Sequence, residues 1–152
     1  MAKIEVGDLI VSLPETLTYQ SSEQGLVGFA AGPDEDLERP EWLLQASSWS
    51  VDSTDEEELA EASAALRERL EGAIRHGLEN PDLSTDTELC EEPVAWGALL
   101  HVSALAPAHA RRVSFYGLHT RRSTLLVTLE GPLEGPLWEE MLDLLRRADL
   151  KG

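Results

Sequence analysis

Cysteine is almost absent from this sequence. The one cysteine, Cys90, cannot form an internal disulfide, and metal sites built from paired cysteines are excluded. Cys90 lies among acidic residues in the segment TELCEEP, a setting that favours an inert thiol over a nucleophile. We therefore expect a fold that a hydrophobic core stabilises without cross-links.

Basic residues are also scarce. Lysine and arginine together number 12 against 29 aspartates and glutamates, which gives a formal net charge of -17. This balance disfavours binding to nucleic acids and to anionic membrane surfaces. It favours solubility and a basic protein partner.

Long apolar runs are missing. The opening MAKIEVGDLIVSLPE mixes acids with its apolar residues and so lacks the uninterrupted core of a signal peptide. No run of about 18 apolar residues occurs elsewhere, so we expect no stable insertion into a membrane. Together with the missing disulfide framework, these observations predict a cytoplasmic protein.

Motifs for catalysis and cofactor binding are missing too. The sequence has no glycine-rich phosphate loop and no dinucleotide-binding fingerprint. Its four histidines are dispersed and lack the spacing of a zinc site: His76, His101, His109 and His119. We expect no metal, no cofactor and no catalytic residue, and hence no enzyme. The alternative is a small hydrolase in which the fold brings His101 or His119 close to carboxylates.

What the sequence does contain is enough apolar residues, 42% of 152, for one domain spanning residues 1–152. Alternating apolar positions predict a first strand over 3–13, with a bulge or bend near Gly7 and an end at Pro14. Further strands are predicted over 25–32 and 41–51.

A helix follows these strands. Thr54 and Glu57 form a capping-box pattern, acids crowd the first turn, and Gly77 is placed to end the helix. Its apolar stripe comprises Leu59, Ala62, Leu66, Leu70, Ala73 and Ile74, and predicts packing on a sheet. The acidic run DEEELAE is interpreted as a solvated first turn rather than a docking surface.

The second half of the sequence again predicts strands followed by a helix. Strands are predicted over 87–94, 97–105, 110–119 and 123–131, followed by a helix with Pro136 at its first position. The stripe of that helix comprises Leu137, Trp138, Met141, Leu142 and Leu145. The sequence thus predicts an α+β fold: a mainly antiparallel sheet of about six strands with two amphipathic helices, in the order βββ-α-βββ(β)-α.

The segment AHARRVSFYGLHTRRS concentrates four arginines in a predicted hairpin. Pairing Arg112 with Glu130 gathers the apolar residues on one face and leaves residues 120–122 as the turn. The arginine pairs 111–112 and 121–122 then lie roughly 25 Å apart, so they cannot form one phosphate clamp. We interpret them as rim and turn residues, of which Arg121 and Arg122 are the better placed to meet a partner.

Tryptophans at positions 42 and 49 differ by an odd number, so a regular strand places Trp42 and Trp49 on opposite faces. A bulge near Ser47 and Ser48 is the alternative that puts both inside.

The element order resembles that of the PsbP-like α+β superfamily. The resemblance rests on the opening IEVGDLIVSLPETLTYQS, the helix DEEELAEASAALRERLEGAI, the hairpin RRVSFYGLHTRRSTLLVTLEG and the helix LWEEMLDLLRR. It implies a non-enzymatic binding protein. In character, the chain looks most like the cytoplasmic chaperones of type VI secretion effectors, which shield hydrophobic segments of an effector with a sheet surface.

On this resemblance, the hairpin face with Tyr116, Leu118 and Leu126 is the candidate partner-binding surface. The leading hypothesis is a chaperone or adaptor for a secreted effector, with a homodimer as a possible assembly. The alternative in the same class is an acidic immunity or antitoxin-like protein that neutralises a basic toxin.

Overall fold

The computed structural model describes residues 2–6, 9–15, 17–22, 25–30, 42–50, 56–79, 84–85, 90–106, 111–120 and 123–150. Their elements are β1 (Ala2–Val6), β2 (Leu9–Leu13), β3 (Thr18–Ser22), β4 (Gly25–Ala30), β5 (Trp42–Ser50), α1 (Glu56–Glu79), β6 (Ser84–Thr85), β7 (Cys90–Val94), β8 (Gly97–Ala106), β9 (Arg111–His119), β10 (Ser123–Pro132), α2 (Leu137–Arg146) and β11 (Asp149–Leu150). The predicted α+β class with two helices and a mainly antiparallel sheet is confirmed.

The larger of two sheets has eight strands. Seven follow the order β3-β4-β5-β10-β9-β8-β6, and β7 also pairs with β8. All pairings between its described strands are antiparallel. The long central strands β8, β9 and β10 are rich in leucine, valine and aromatic residues, which suit a sheet buried on both sides.

Two clusters of apolar side chains cover the two faces of this sheet. On what we call the inner face, residues of β5, β8, β9 and β10 pack against β2 and α2; the cluster includes Leu44, Leu99, Tyr116, Leu118, Leu125, Val127, Leu129, Leu9, Val11, Leu13, Leu137, Trp138, Met141 and Leu145. On the outer face, α1 covers a smaller cluster. It comprises Leu100, Val102, Phe115 and Leu126 of the sheet with Leu66 and Leu70 of α1.

The predicted first strand is in fact two strands. Residues 2–6 and 9–13 form an antiparallel hairpin in which Val6 pairs with Leu9. This hairpin and β11 make a second sheet in the order β1-β2-β11. The prediction of one strand with a bulge or bend is therefore wrong, and Gly7 itself lies outside the described residues; a Gly-Asp pair between alternating runs is a hairpin signal in sequence.

The helices lie where the sequence predicts them, but their ends differ. Helix α1 continues through Gly77 to Glu79, so Gly77 does not end it. The predicted capping residue Thr54 lies outside the described residues. Pro136 is the N-cap of α2 rather than its first helical residue, and Glu139 and Glu140 occupy the first turn. No helix within the described ranges is long and apolar enough to cross a lipid bilayer.

The register of the β9–β10 hairpin is shifted by one residue from the predicted one. Glu130 pairs with Val113, and Arg112 pairs with Gly131. The predicted Arg112–Glu130 pair is therefore wrong: Arg111 contacts the Glu130 carboxylate, with 3.6 Å between Nη2 and Oε1. A shift of one residue exchanges the faces of every side chain of one strand relative to the other.

Gly117 of β9 allows α1 to approach the sheet closely. A Cβ atom at this position would lie 2.9 Å from Cδ2 of Leu66, which is fully buried. Gly72 of α1, by contrast, has open space around the position of a Cβ atom. The two glycines therefore respond oppositely to the same substitution.

We expect Gly117→Ala to lower the free energy of unfolding by about 1–3 kcal/mol, because the added methyl displaces Leu66. Gly72→Ala is expected to raise it by about 0.5–1 kcal/mol, because alanine is the better helix former. Urea denaturation of both variants and the parent chain measures the difference. Equal stabilisation by the two substitutions would contradict the close packing of α1.

Candidate functional site

Two indole groups fix α2 on the inner face. Trp138 Nε1 donates to the Pro132 carbonyl oxygen at 2.9 Å, at the start of the helix. Trp96, in the turn between β7 and β8, donates from Nε1 to the Leu145 carbonyl oxygen at 2.9 Å. Because the last carbonyls of a helix lack partners within it, the second bond also caps α2.

Trp138 also packs against Trp42 of β5. The ring centroids lie 4.9 Å apart at an interplanar angle of 60°, an edge-to-face arrangement. Gly131 of β10 provides the space for this pair, since a Cβ atom there would collide with the Trp42 ring. The predicted core role of Trp138 is confirmed, and Trp42 is buried with it.

Trp138 also belongs to a cluster of polar side chains, which we call the Arg112 cluster: Arg112, Ser103, Ser114 and Trp138. Arg112 Nε donates to Ser114 Oγ at 3.1 Å, and Nη2 donates to Ser103 Oγ at 3.0 Å. The two hydroxyls are 2.8 Å apart and both serines are buried. The Arg112 Cζ atom lies 4.4 Å from the centroid of the Trp138 ring, within range of a cation–π contact.

The strand register explains why these side chains meet. Ser103 of β8 pairs with Ser114 of β9, and Leu105 pairs with Arg112. Ser114 and Arg112 are two residues apart on one strand, so they lie on the same face. The cluster is thus held by backbone pairing rather than by flexible loops.

A second polar group adjoins the cluster along β8. His101 pairs with Tyr116, and its Nε2 lies 3.7 Å from Glu92 Oε1. Arg146 of α2 also contacts Glu92, with Nε 3.0 Å from the same oxygen, and lies 3.8 Å from Asp143. Glu92 therefore links strand β7 to the last turn of α2.

Burial and the surrounding charges shift the protonation equilibria of this group. Partial burial lowers the pKa of His101; the Glu92 carboxylate opposes this change, and the Arg146 and Arg112 charges add to it. Burial raises the pKa of Tyr116, against the effects of a hydrogen bond with Ser114 and the Arg112 charge. Both side chains are therefore neutral at pH 7.

The described residues contain no group of three or more histidine, cysteine, aspartate or glutamate side chains arranged to hold a metal ion. His119 lies at the far end of β9, where Nδ1 is 3.1 Å from Thr124 Oγ1. What the site offers chemically is an oriented guanidinium beside hydroxyl groups.

The predicted partner-binding residues do not share one surface. Tyr116 and Leu118 are buried in the inner cluster, with exposed fractions of 3% and 0%, whereas Leu126 belongs to the outer face beneath α1. The prediction that these three form one exposed face is wrong, because it followed from the shifted register. Arg121 and Arg122 lie outside the described residues, so a role for them and for Leu126 stays a prediction.

The alternative of a bulge in β5 is also wrong. Pairing with β10 is continuous from Leu43 to Ser50, so Ser47 and Ser48 interrupt nothing. The side chain of Trp49 is outside the described part of the molecule.

The sequence reasoning missed Ser103 and Ser114, and it assigned Arg112 to the wrong partner. The sequence signal that could have indicated this cluster is the alternation of Arg112, Ser114 and Tyr116, which places the three residues on one face of β9. A register with Leu118 opposite Leu125 would have placed these polar residues inside.

We expect an NMR titration of the His101 ring protons to give a pKa below the ordinary 6.5. Glu92→Gln should lower it further, because the carboxylate that favours the protonated imidazole is removed. Asp143→Asn is the matched control: it also removes a partner of Arg146 but leaves the pKa of His101 nearly unchanged. A rise of this pKa in Glu92→Gln would contradict the assignment.

The lowered pKa of His101 also makes the free energy of unfolding depend on pH. As the pH falls through 6.5, the unfolded chain binds a proton at His101 before the folded chain does, so this group reduces stability in acid. His101→Gln should therefore show a shallower fall in the free energy of unfolding between pH 7 and the lowered pKa, measured by urea denaturation against the parent chain.

Comparisons with known proteins bear on the fold alone. No protein-family model matches the sequence, and no curated protein matches it. Among solved structures, the fold is similar to the solution structure of cyanobacterial PsbP (CyanoP) from Synechocystis sp. PCC 6803, with a TM-score of 0.54. The similarity covers 94% of this chain and 86% of that chain at 9% sequence identity. The predicted likeness to the PsbP-like fold is thereby supported.

Proposed function

We propose that this chain is a non-catalytic protein-binding domain, and specifically a chaperone or adaptor that shields a hydrophobic segment of a secreted effector, such as one of type VI secretion. The proposal takes residues 1–152 as a single cytoplasmic domain. The observation that carries it is that, among the described residues, α1 covers only one half of the outer face of the larger sheet.

Helix α1 lies over one half of the outer face. It packs on β6, β8, β9 and β10, where Leu66 and Leu70 meet the outer cluster. The other half, formed by β3, β4 and β5, carries Val27 and Leu43. Both are partly exposed, and among the described residues neither belongs to either apolar cluster. Leu126 belongs to the covered half, on the strand β10 that pairs with β5 of the other half.

Acidic side chains border this half-covered surface. Glu130 pairs with Leu43 across the strands and is partly exposed. Helix α1, which packs on the next strand β10, carries exposed carboxylates at Glu57, Glu61, Glu68 and Glu71. A surface with apolar residues and an acidic border complements an apolar polypeptide segment that lysine or arginine flanks. That segment is the partner we assign to the surface.

The revised surface changes the roles of the predicted residues. Leu126 remains a candidate contact, and Arg121 and Arg122 remain candidates at the turn of the β9–β10 hairpin. Tyr116 and Leu118 support the strand from the inner face. A homodimer would place two such surfaces around one segment.

The test uses a fluorescently labelled peptide of about 20 leucine and alanine residues with lysines at both ends, a length that spans a bilayer. Fluorescence anisotropy should show saturable binding to the full chain. Leu43→Gln should weaken binding about tenfold, because one leucine contact is worth roughly 1.5 kcal/mol. Leu150→Gln is the matched control. It makes the same change at an exposed leucine of β11, in the smaller sheet, and should leave binding unchanged.

Failure of the parent chain to bind the peptide would overturn the proposal, as would equal weakening by the two variants. Salt separates this function from the immunity-protein alternative. Binding held by apolar burial changes little with ionic strength, whereas neutralisation of a basic toxin weakens steeply. A steep loss would favour the alternative, which the net charge of -17 also supports.

A further inference from the structure

The guanidinium of Arg112 is held in one orientation before any ligand binds. Two of its nitrogens donate to the buried hydroxyls of Ser114 and Ser103, and its carbon centre lies over the Trp138 ring. Both serines are fixed by their positions on paired strands, and Trp138 is fixed by its own bond to Pro132. A cation fixed in this way loses little conformational freedom when it binds an anion.

No described residue neutralises this charge. Arg67, Arg111 and Arg146 contact Glu91, Glu130 and Glu92 respectively. Arg112 contacts only hydroxyl groups and an aromatic ring among the described side chains. The contrast is notable in a chain with 29 acidic and 12 basic residues, where a carboxylate partner is easily supplied. A half-buried cation that no carboxylate of the described ranges contacts favours an anion from solution.

The remaining donors of Arg112 have the geometry for such an anion. A guanidinium carries five N–H groups, and the two serines accept from one on Nε and one on Nη2. Three N–H groups remain, and two of them, one on Nη1 and one on Nη2, lie on the edge between these nitrogens, the arrangement that binds two oxygens of one carboxylate. Both serines are buried, whereas Arg112 is partly exposed.

The charge balance selects the class of anion. The single positive charge of Arg112 lies beside neutral hydroxyls in a strongly acidic chain, and Glu92 lies on β7, beyond β8. A dianion such as phosphate would leave excess negative charge at the site, whereas a carboxylate matches the single positive charge. We propose that the Arg112 cluster is a binding site for a carboxylate, which the Nη1 and Nη2 edge of Arg112 holds through two parallel hydrogen bonds.

The direct test observes the Arg112 side chain in the full-length protein. Sodium acetate is added at constant ionic strength, with chloride as the replaced ion, and the Arg112 Nε–H and Trp138 Nε1–H signals are followed by NMR. We expect saturable shifts of both signals. Their absence at acetate concentrations up to about 100 mM would overturn the proposal, because even a weak site of this kind has an affinity in the millimolar range.

Variants distinguish acetate binding at the Arg112 cluster from a general effect of the protein's positive charges on the NMR signals. Arg112→Gln should abolish the acetate response at Trp138, and Arg112→Lys, which keeps the charge but loses the two-pronged edge, should weaken it about tenfold. Arg111→Gln is the matched control, since it removes the adjacent positive charge from the opposite face of β9 and should leave the response unchanged. Equal losses in Arg111→Gln and Arg112→Gln would overturn the site. If Arg112→Gln does not fold, the lysine variant and the parent titration carry the test.

Two further titrations identify the anion and its source. Inorganic phosphate should give a weaker response than acetate, and a stronger one would overturn the assignment to a carboxylate. A short peptide with a free C-terminal carboxylate is compared with the same peptide as an amide. If the peptide with the free carboxylate binds more tightly than acetate, the site is assigned to a polypeptide terminus. If that peptide and acetate bind equally, the site is assigned to a small carboxylate.

Discussion

Trp138 contacts three strands of the larger sheet at once. Its indole packs edge-on against Trp42 of β5, lies against the Arg112 guanidinium of β9 and donates to the Pro132 carbonyl of β10. An aromatic pair, a cation–π contact and a hydrogen bond each contribute about 0.5–2 kcal/mol. Their sum is a large share of the 5–15 kcal/mol by which a domain is usually stable. Trp138 therefore joins the positioning of α2, which it shares with Trp96, to the orientation of Arg112, which it shares with the two serines.

Helices and strands could be predicted from local sequence patterns, whereas the pairing of the strands could not. The capping pattern and apolar stripe of α1 and the alternation in β8 to β10 are properties of short segments. The β9–β10 register was not recoverable in this way, because both faces of the hairpin are covered. Val113 and Phe115 looked like inner residues, yet Phe115 lies under α1, and Tyr116 and Leu118 face α2 and β2. A pattern fixes register only where one face is solvent-exposed.

The polar site depended on that same undetermined register. Ser103 and Arg112 are nine residues apart in sequence and meet only through the β8–β9 pairing. Trp138 reaches them from a helix that begins after β10, so no local motif joins the three. An arginine that packs on a tryptophan within a mostly apolar face is a tertiary arrangement, which overrides the ordinary preference for placing arginine outside. The short strands β3, β6 and β11 were missed because their few, mainly polar residues carry little strand signal.

The order of strands in the smaller sheet has a consequence for how the chain folds. Strand β2 pairs on one side with β1 and on the other with β11, so residues 9–13 contact residues 149–150. The inner face is thus covered by the first and last described parts of the sequence, whereas α1 and strands β8 to β10 are closer neighbours along the chain. Contacts of such large sequence separation form late, because closing a long loop costs entropy before it brings any stabilisation. A chain that lacks residues 137–150 keeps every described residue of the outer cluster but loses α2 from the inner face, so the cover that Trp138 gives to Trp42 is the last part of the fold to form.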